Sequence, residues 1–273
     1  MKASEISERR NQIVELLKEK KFLKITEAVK LLDVSHETVR QDFNYLEKRG
    51  LLKKVYGGAQ LAENAPTDDL PLRETSHYAD KLAIAREALK LIPAVPCTIG
   101  LDSGSTVALL AAELKSLPPK TIFTNSWASM TALLDSGHDL YFSGGRLLRS
   151  DMSFHGNITR NAFENIAMDL CFMGSSGVWN HSGICSASYP ELDAKRQFIE
   201  RSNTKVVLMD SSKFATSSFV EVAKWNEIDI LITDSHIAAE MKARLERELK
   251  VITPDSRAKR TSPPPSCRSA SSE

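Results

Sequence analysis

Hydroxyl groups and a glycine are concentrated in one short stretch of the chain, Asp102-Ser103-Gly104-Ser105-Thr106, between an apolar run and a helix-like run. A loop at such a junction presents free backbone N–H groups and the positive end of a helix dipole, which attract an anion. Ser103, Ser105 and Thr106 add hydroxyl donors. Neither GKS, GKT nor GxGxxG is present, which disfavours nucleoside triphosphates and dinucleotides. On spacing alone, an ordinary helix N-cap remains the alternative interpretation.

Further polar clusters follow other β-rich runs. These runs begin near residues 98, 121, 140, 170, 205 and 230 and are separated by helix-length segments, which predicts an α/β sheet. The clusters are Thr124-Asn125-Ser126, Ser143-Gly144-Gly145-Arg146 and Asp210-Ser211-Ser212-Lys213. Ligands of open α/β sheets bind at the carboxyl ends of the strands. We therefore expect the four loops to converge on one polar pocket.

The first fifty residues predict three helices. Residues 6–20 carry an apolar stripe, and Thr26 is the expected cap of a second helix that ends near Asp33. Ser35 is the expected N-cap of a third helix, residues 36–49, which Gly50 ends. Its apolar residues Val39, Phe43 and Leu46 must face inward, so His36, Glu37, Arg40, Gln41 and Asn44 must point outward. Two helices across a short turn form a helix-turn-helix, whose second helix enters the major groove of DNA.

A basic hairpin is expected directly after the third helix. Residues 51–55 and 59–61 read as two strands, and Gly57-Gly58 would supply positive φ at the turn. Lys53, Lys54 and Tyr56 suit contacts with phosphates and the minor groove, as in a wing. The alternative for this region is a small helical domain that docks onto another protein.

Composition supports two soluble domains with different partners. The chain has 273 residues and a net charge of only +1, but residues 1–61 hold 13 Lys/Arg against 9 Asp/Glu. The basic end is therefore the N-terminal one. The four cysteines lack metal-like spacing, and no apolar run has the length of a membrane span. The start of the chain lacks the apolar core of a secretory signal. We expect a cytoplasmic protein with no disulfide, metal, cofactor or membrane partner.

The first domain resembles the DNA-binding domain of the DeoR family of bacterial sugar-metabolism regulators. The resemblance rests on residues 34–43, 46–50 and 56–59. In that family the third helix usually reads Ser-x-x-Thr-[Ile/Val]-Arg-Arg-Asp-Leu, whereas this chain has Gln41 and Phe43 at the second arginine and the leucine. The resemblance implies that Ser35, His36, Thr38, Arg40 and Gln41 face the operator.

The second domain resembles the effector domain of the same family, which is similar in fold to ribose-5-phosphate isomerase and CoA-transferase-like proteins. The matching stretches are LDSGST, Thr124-Asn125, Gly144-Gly145, ELDAK at residues 191–195 and DSSKF at residues 210–214. The resemblance implies a sugar phosphate as ligand. The implied effector residues are Asp102, Ser103, Gly104, Ser105, Thr106, Thr124, Asn125, Gly144, Gly145, Lys195 and Lys213.

The predicted organisation is a winged helix-turn-helix at 1–61, a linker at 62–72, an α/β effector and oligomerisation domain at 73–253, and a tail at 254–273. The favoured function is a repressor of a sugar-metabolism operon that binds double-stranded operator DNA as a dimer or tetramer and responds to a phosphorylated sugar. The alternative is a sugar-phosphate isomerase with an N-terminal interaction module, in which Glu191, Asp210 and Lys213 would move protons.

Overall fold

The computed structural model describes residues 3–48, 51–62, 73 and 76–254. Gly50, residues 63–72 of the predicted linker and residues 255–273 of the predicted tail lie outside these ranges. Within the described residues, no helix combines the length and the apolar composition needed to cross a bilayer.

The N-terminal region contains the three predicted helices and one strand more than expected. Its elements are α1 (Ala3–Lys20), β1 (Phe22–Lys24), α2 (Ile25–Leu32), α3 (His36–Lys48), β2 (Leu52–Val55) and β3 (Gly58–Leu61). Val39, Phe43 and Leu46 are fully buried against α1 and the sheet, as their spacing predicted. The Ser35 hydroxyl accepts a hydrogen bond from the Thr38 N–H at 3.1 Å, which confirms the predicted N-cap of α3.

The predicted cap at Thr26 is wrong. The N-cap is Lys24, two residues earlier, so α2 begins at Ile25, and no side chain caps it. The N–H of Ile25 donates instead to the carbonyl of Gly57 in the hairpin, at 3.0 Å. A helix N–H needs one partner, and a distant backbone carbonyl fills that role here.

The wing is a three-stranded antiparallel sheet in the order β1-β3-β2. Gly57 has a φ of 77° at the turn, as predicted. Gly58 does not share that conformation: it belongs to β3, where a Cβ atom would collide with the carbonyl oxygen of Leu23. The expectation of positive φ therefore holds for one glycine, whereas the other is needed because β1 approaches closely.

The second region is built on a seven-stranded parallel sheet in the order β14-β13-β11-β9-β4-β5-β6. All six predicted strands are present. The elements are α4 (Tyr78–Leu89), β4 (Thr98–Leu101), α5 (Ser105–Leu114), β5 (Thr121–Thr124), α6 (Trp127–Leu133), β6 (Asp139–Phe142), β7 (Arg146–Leu148), β8 (Ser153–His155), α7 (Asn157–Phe163), β9 (Met168–Met173), β10 (Gly183–Ser186), α8 (Tyr189–Arg201), β11 (Ser202–Leu208), β12 (Val220–Lys224), β13 (Ile230–Ile232), α9 (Ala239–Leu245) and β14 (Lys250–Ile252).

The sheet has a hydrophobic core on each face. Along β9, Leu170 and Phe172 belong to one core, whereas Cys171 and Met173 belong to the other. This alternation is expected because successive side chains of a strand point to opposite faces. A strand buried on both faces reads as a continuous apolar run, and β9 could therefore be predicted from sequence.

Several short strands were not predicted from the sequence. Two antiparallel ribbons, β7 with β8 and β10 with β12, flank the main sheet, and β14 forms one of its edges. The last helix, α9, has only seven residues. Helix α1 of the first region lies against α4 of the second.

Candidate DNA-binding surface and ligand cleft

The outer face of α3 presents the predicted base-contacting residues. Ser35, His36, Arg40 and Gln41 are exposed, and Thr38 is half-buried beside Ser35. These residues occupy the first turns of the helix, the part that meets base edges when a recognition helix enters the major groove. Thus α3 is anchored in the core by its apolar face and has a polar face available for DNA.

A buried ion cluster fixes α3 against α1. The Asp42 carboxylate is only 1% exposed and accepts hydrogen bonds from the Nε atoms of Arg9 at 2.6 Å and Arg10 at 2.8 Å. The guanidinium carbon of Arg10 also lies 3.6 Å from the ring centroid of Tyr45. Sequence reasoning did not assign Asp42 a role. Its position on the buried face of α3, between Val39 and Leu46, was the available signal.

The wing lysines have different surroundings. Lys53 and Tyr56 are exposed, and Tyr56 stands fully in solvent at the turn. The Lys54 ammonium, by contrast, lies 3.1 Å from a Glu47 carboxylate oxygen and 2.5 Å from the side-chain oxygen of Asn44. The backbone N–H of Lys54 also donates to Glu47, and this hydrogen bond is the main reason that the pKa of Glu47 is lowered. Lys54 therefore joins the wing to α3.

The ligand cleft lies where the order of the sheet changes direction. Strands β4 and β9 are neighbours, but the chain after β4 continues outward through β5 and β6, whereas the chain after β9 continues outward on the other side through β11 and β13. The loops at the carboxyl ends of β4 and β9 therefore separate and leave a crevice, the usual ligand position in open α/β sheets. Its lining residues are Arg73, Lys81, Ser103, Gly104, Ser105, Thr106, Gly174, Ser175, Ser176, Glu191, Lys195, Leu208, Met209, Asp210 and Lys213.

The loop after β4 supplies the hydroxyl side of the cleft. Helix α5 begins at Ser105 after Gly104, whose φ of 133° suits glycine and few other residues. The side chains of Ser103, Ser105 and Thr106 line the cleft beside the first backbone N–H groups of α5. Asp102 lies behind the loop and forms a buried ion pair with Lys195, which also donates to the carbonyl of Gly174 at 2.9 Å.

Four cations contribute to the lining: Arg73, Lys81, Lys195 and Lys213. The sequence indicated only the last two. Lys81 is 3% exposed, and its ammonium donates to the backbone carbonyl of Arg73 at 2.5 Å. Opposite them, burial raises the pKa of Glu191, an effect that nearby Lys195 opposes. A cleft with this charge balance is suited to an anion.

A second polar network lies behind Ser103. Its hydroxyl donates to one Asp151 oxygen at 3.0 Å, and the hydroxyl of Ser153 donates to the other at 2.6 Å. Ser153 also hydrogen-bonds to Nε2 of His155, which is buried. Burial lowers the pKa of His155, with Asp151 and Asp102 acting in the opposite direction. The sequence did not indicate a role for Asp151, Ser153 or His155. Ser153 and His155 lie on β8, which was not predicted.

The structure does not bring the other predicted effector residues to the lining of the cleft. Thr124 donates to the carbonyl of Leu101 at 2.7 Å, and the Asn125 side-chain amide donates to the carbonyl of Phe154 at 3.3 Å. The carbonyl of Gly144 accepts from Thr159, against which Gly145 also packs. These residues follow β5 and β6, on one side of the crevice. Of the four loops, those after β4 and β11 line this cleft, together with the loop after β9, and the convergence of the other two on the same site stays a prediction.

One mixed cluster of acids and histidine lies near the start of α4. Asp80, Asp234 and His236 each place a possible ligand atom within 4.8 Å of the others. Asp234 is already engaged, because it accepts hydrogen bonds from the N–H of Ser211 at 2.6 Å and of His236 at 2.8 Å. The ordinary role of this cluster is to fix the loop after β13 beside α4.

A winged helix-turn-helix joined to an anion-suited cleft in a parallel α/β domain defines a ligand-responsive transcriptional regulator. Comparison with known proteins gives the family. Residues 9–65 match the model of the DeoR-like helix-turn-helix domain, and residues 76–235 match the DeoR C terminal sensor domain. The chain belongs to the DeoR family of transcriptional regulators.

Two curated relatives are similar in sequence over most of this chain, and one solved structure is similar over half of it. The HTH-type transcriptional regulator GolR of Listeria innocua is 33% identical over 84% of this chain and 91% of its own length. The glycerol-3-phosphate regulon repressor of Escherichia coli K12 is 27% identical over 84% of this chain and 91% of its own. A ribose 5-phosphate isomerase A from Methanocaldococcus jannaschii matches 50% of this chain and 55% of its own at 22% identity and a TM-score of 0.38.

Proposed function

We propose that the protein represses a bacterial sugar-metabolism operon and that a phosphorylated sugar releases it from its operator. Residues 1–61 bind double-stranded DNA in the cytoplasm, residues 62–72 join the domains, and residues 73–253 bind the effector and hold the subunits together. The observation that carries the proposal is that one chain combines an exposed recognition helix with a cleft whose lining holds four cations and three hydroxyl-bearing residues at a helix start.

The DNA contacts that we propose are those of α3 and the wing: Ser35, His36, Thr38, Arg40, Gln41, Lys53, Lys54 and Tyr56. One helix-turn-helix reads few base pairs, so a dimer or tetramer that places two of them on successive half-sites explains specific binding. Exposed apolar side chains of the second region, such as Trp127, Tyr141 and Phe219, supply surface for pairing.

The effector contacts that we propose centre on the loop after β4. The phosphate receives N–H groups of α5 and the hydroxyls of Ser103, Ser105 and Thr106, and Lys195 and Lys213 face the rest of the ligand. Asp102 orients Lys195 from behind. The relative that is named for a glycerol-3-phosphate regulon supports a small phosphorylated ligand.

The proposal includes no catalysis. Of the acids that the isomerase alternative would use, Asp210 accepts a hydrogen bond from the N–H of Ser212 at 3.2 Å, and Glu191 accepts one from the Ser188 hydroxyl at 2.8 Å. The winged helix-turn-helix is also unnecessary for isomerisation. Steady turnover of a sugar phosphate by the full chain would favour the enzyme.

The proposal is tested by operator titration in the presence of phosphosugars. Fluorescence anisotropy is measured for wild type and Ser105→Asp, with Ser116→Asp, at an exposed turn just after the same helix, as the matched control. We expect wild type and the control to lose about 5- to 150-fold in operator affinity with ligand. Ser105→Asp should bind operator normally and not respond, because its carboxylate repels the phosphate. An equal response from all three proteins would place the effector elsewhere.

A further inference from the structure

The start of α4 and the loop after β13 bring several metal-ligating side chains together. Asp80 belongs to the first turn of α4, whereas Asp234 and His236 follow β13. Each offers one donor atom, and these atoms lie within 4.8 Å of one another. A further donor, His77, is the N-cap residue of α4, and its Nδ1 lies 4.0 Å from Oδ2 of Asp80. Two carboxylates and two imidazoles therefore gather where two elements distant in sequence meet.

The distances between the donor atoms fit the coordination of one ion. Nδ1 of His236 lies 3.0 Å from Oδ1 of Asp234 and 4.0 Å from Oδ1 of Asp80. With metal–ligand bonds of about 2.1 Å, two ligand atoms of a tetrahedral ion lie about 3.4 Å apart. The two measured distances lie on either side of this value, and the exposed side chain of His236 has the freedom to move by the difference.

The hydrogen bonds of Asp234 leave it able to bind an ion. Its Oδ2 accepts from the N–H of Ser211 at 2.6 Å, and its Oδ1 accepts from the N–H of His236 at 2.8 Å. An ionised carboxylate has about four lone-pair sites, so each oxygen keeps one after these bonds. Carboxylates that ligate metals are commonly oriented by such hydrogen bonds. The buried Asp234 is therefore held in place for coordination.

The cluster opens onto a cavity that is separate from the ligand cleft. His77, Asp80 and His236 line this cavity together with Trp179 and Phe214. None of these five described residues lines the ligand cleft. The cavity has a volume of about 550 Å³, which gives an ion a path from solvent and leaves space for water to complete its coordination.

The combination of nitrogen and oxygen donors indicates the class of ion. Imidazole suits zinc and similar transition metals, whereas Mg²⁺ and Ca²⁺ prefer oxygen ligands. We propose that Asp80, Asp234 and His236 bind one divalent transition-metal ion such as Zn²⁺, with His77 as a fourth ligand. The sequence predicted no metal, since its four cysteines lack metal-like spacing, whereas these ligands come together only in the fold.

The ion joins the start of α4 to the loop after β13 and stabilises the folded second region. Asp234 also holds the N–H of Ser211, which lies beside Asp210 of the ligand cleft, so the ion supports that side of the cleft from behind. The inference does not rest on the proposed function, because the metal ligands lie outside the ligand cleft and outside the DNA-binding surface.

The experiment titrates Zn²⁺, and separately Mg²⁺, into untagged full-length protein that a chelator has freed of metal. Equilibrium dialysis measures affinity and stoichiometry, and thermal unfolding measures stabilisation. The variants are His236→Gln and Asp80→Asn, and Asp234 is left unchanged because it holds Ser211. His181→Gln is the matched control, since Nδ1 of His181 lies 3.6 Å from a Glu221 carboxylate oxygen in a histidine–acid pair outside the cluster.

We expect wild type and His181→Gln to bind one Zn²⁺ per chain and to unfold at a higher temperature with it, because a ligand of the native state alone stabilises that state. His236→Gln and Asp80→Asn should each bind Zn²⁺ at least about 10- to 100-fold more weakly, since even residues that only orient metal ligands have effects of this size. Mg²⁺ should bind wild type at least about tenfold more weakly than Zn²⁺. A metal-free unfolding temperature close to that of wild type shows that a variant is folded, and either folded variant suffices for the test.

Three results would overturn the inference. Wild-type Zn²⁺ affinity in the folded cluster variants would show that the ion binds elsewhere. Failure of wild type to bind one Zn²⁺ per chain would show that the cluster serves only to hold the loop after β13 by hydrogen bonds. Mg²⁺ binding as tight as that of Zn²⁺ would exclude the transition-metal class. Operator binding and its response to phosphosugars are measured separately, so each of these results leaves the proposed function standing.

Discussion

The DNA-binding surface and the ligand cleft are assembled in opposite ways. The exposed residues of α3 and the wing lie within residues 35–56, so one helix and one hairpin present them together. The cleft collects side chains from α4, from the loops after β4, β9 and β11, and from α8. A surface made by consecutive elements can be identified from local pattern, whereas a crevice at a change in strand order depends on which strands become neighbours.

The largest expected effect tests an exception to this contrast. The DNA-binding region also depends on a contact between residues distant in sequence, that of Asp42 with Arg9 and Arg10. Asp42→Asn leaves Arg9 and Arg10 without their carboxylate and should lower the free energy of unfolding of this region by about 3–5 kcal/mol. Thermal unfolding followed by circular dichroism measures the loss. The double variant Arg9→Met/Asp42→Asn should recover part of it, and an unchanged unfolding temperature for the single variant would contradict the role of the cluster.

The next effect sharpens the comparison by separating the two sites. Arg40→Ala should cost about 1–3 kcal/mol in operator binding, the contribution of a bidentate contact to a base. Its ligand affinity should not change, because Arg40 is exposed on α3 and remote from the cleft lining. Anisotropy at matched salt measures the first quantity and thermal shift the second. Arg160→Ala, an exposed arginine on α7, is the control, and wild-type operator affinity for Arg40→Ala would show that α3 is misplaced.

A smaller effect is confined to the second region and depends on pH. Burial lowers the pKa of His155 in the folded state, so the unfolded chain binds this proton more readily. Stability should therefore fall as pH decreases below about 6.5, by at most about 1.4 kcal/mol per pH unit from this group. Urea unfolding between pH 7.5 and 5.5 should show a steeper decline for wild type than for His155→Gln. Parallel curves would assign the decline to other groups.

The smallest effect tests a difference within the wing. Each cation that neutralises a DNA phosphate contributes about 0.9 to the slope of log affinity against log salt. Lys53→Met should lower the slope by about that amount. Lys54→Met should lower it less, because Glu47 and Asn44 hold the Lys54 ammonium. Equal changes for the two variants would show that Lys54 leaves its partners to contact DNA.

The sequence predicted the elements that form from local pattern better than it predicted the cleft, which distant elements assemble. Val39, Phe43 and Leu46 repeat at helical spacing, and residues 170–173 of β9 are all apolar, so both elements could be recognised locally. The cleft was half predicted: the LDSGST loop carries its own pattern, but the contribution of Lys81 depends on α4 crossing to the end of β4. Whether the loops of Thr124 and Gly144 join this site also depends on strand order, which no local pattern encodes.

The pairing of β4 with β9 also fixes an order of events during synthesis. The elements of the first region all lie within Ala3–Leu61, so this region can fold as soon as its last strand has left the ribosome. The sheet centre joins residues as distant as Gly100 and Cys171, so it cannot close before β9 leaves the ribosome. Each new chain therefore carries a folded DNA-binding domain before it has a sensor. If the second region pairs the subunits, as proposed above, we expect this early domain to bind DNA singly and weakly, so that tight operator binding arises only once the sensor has folded.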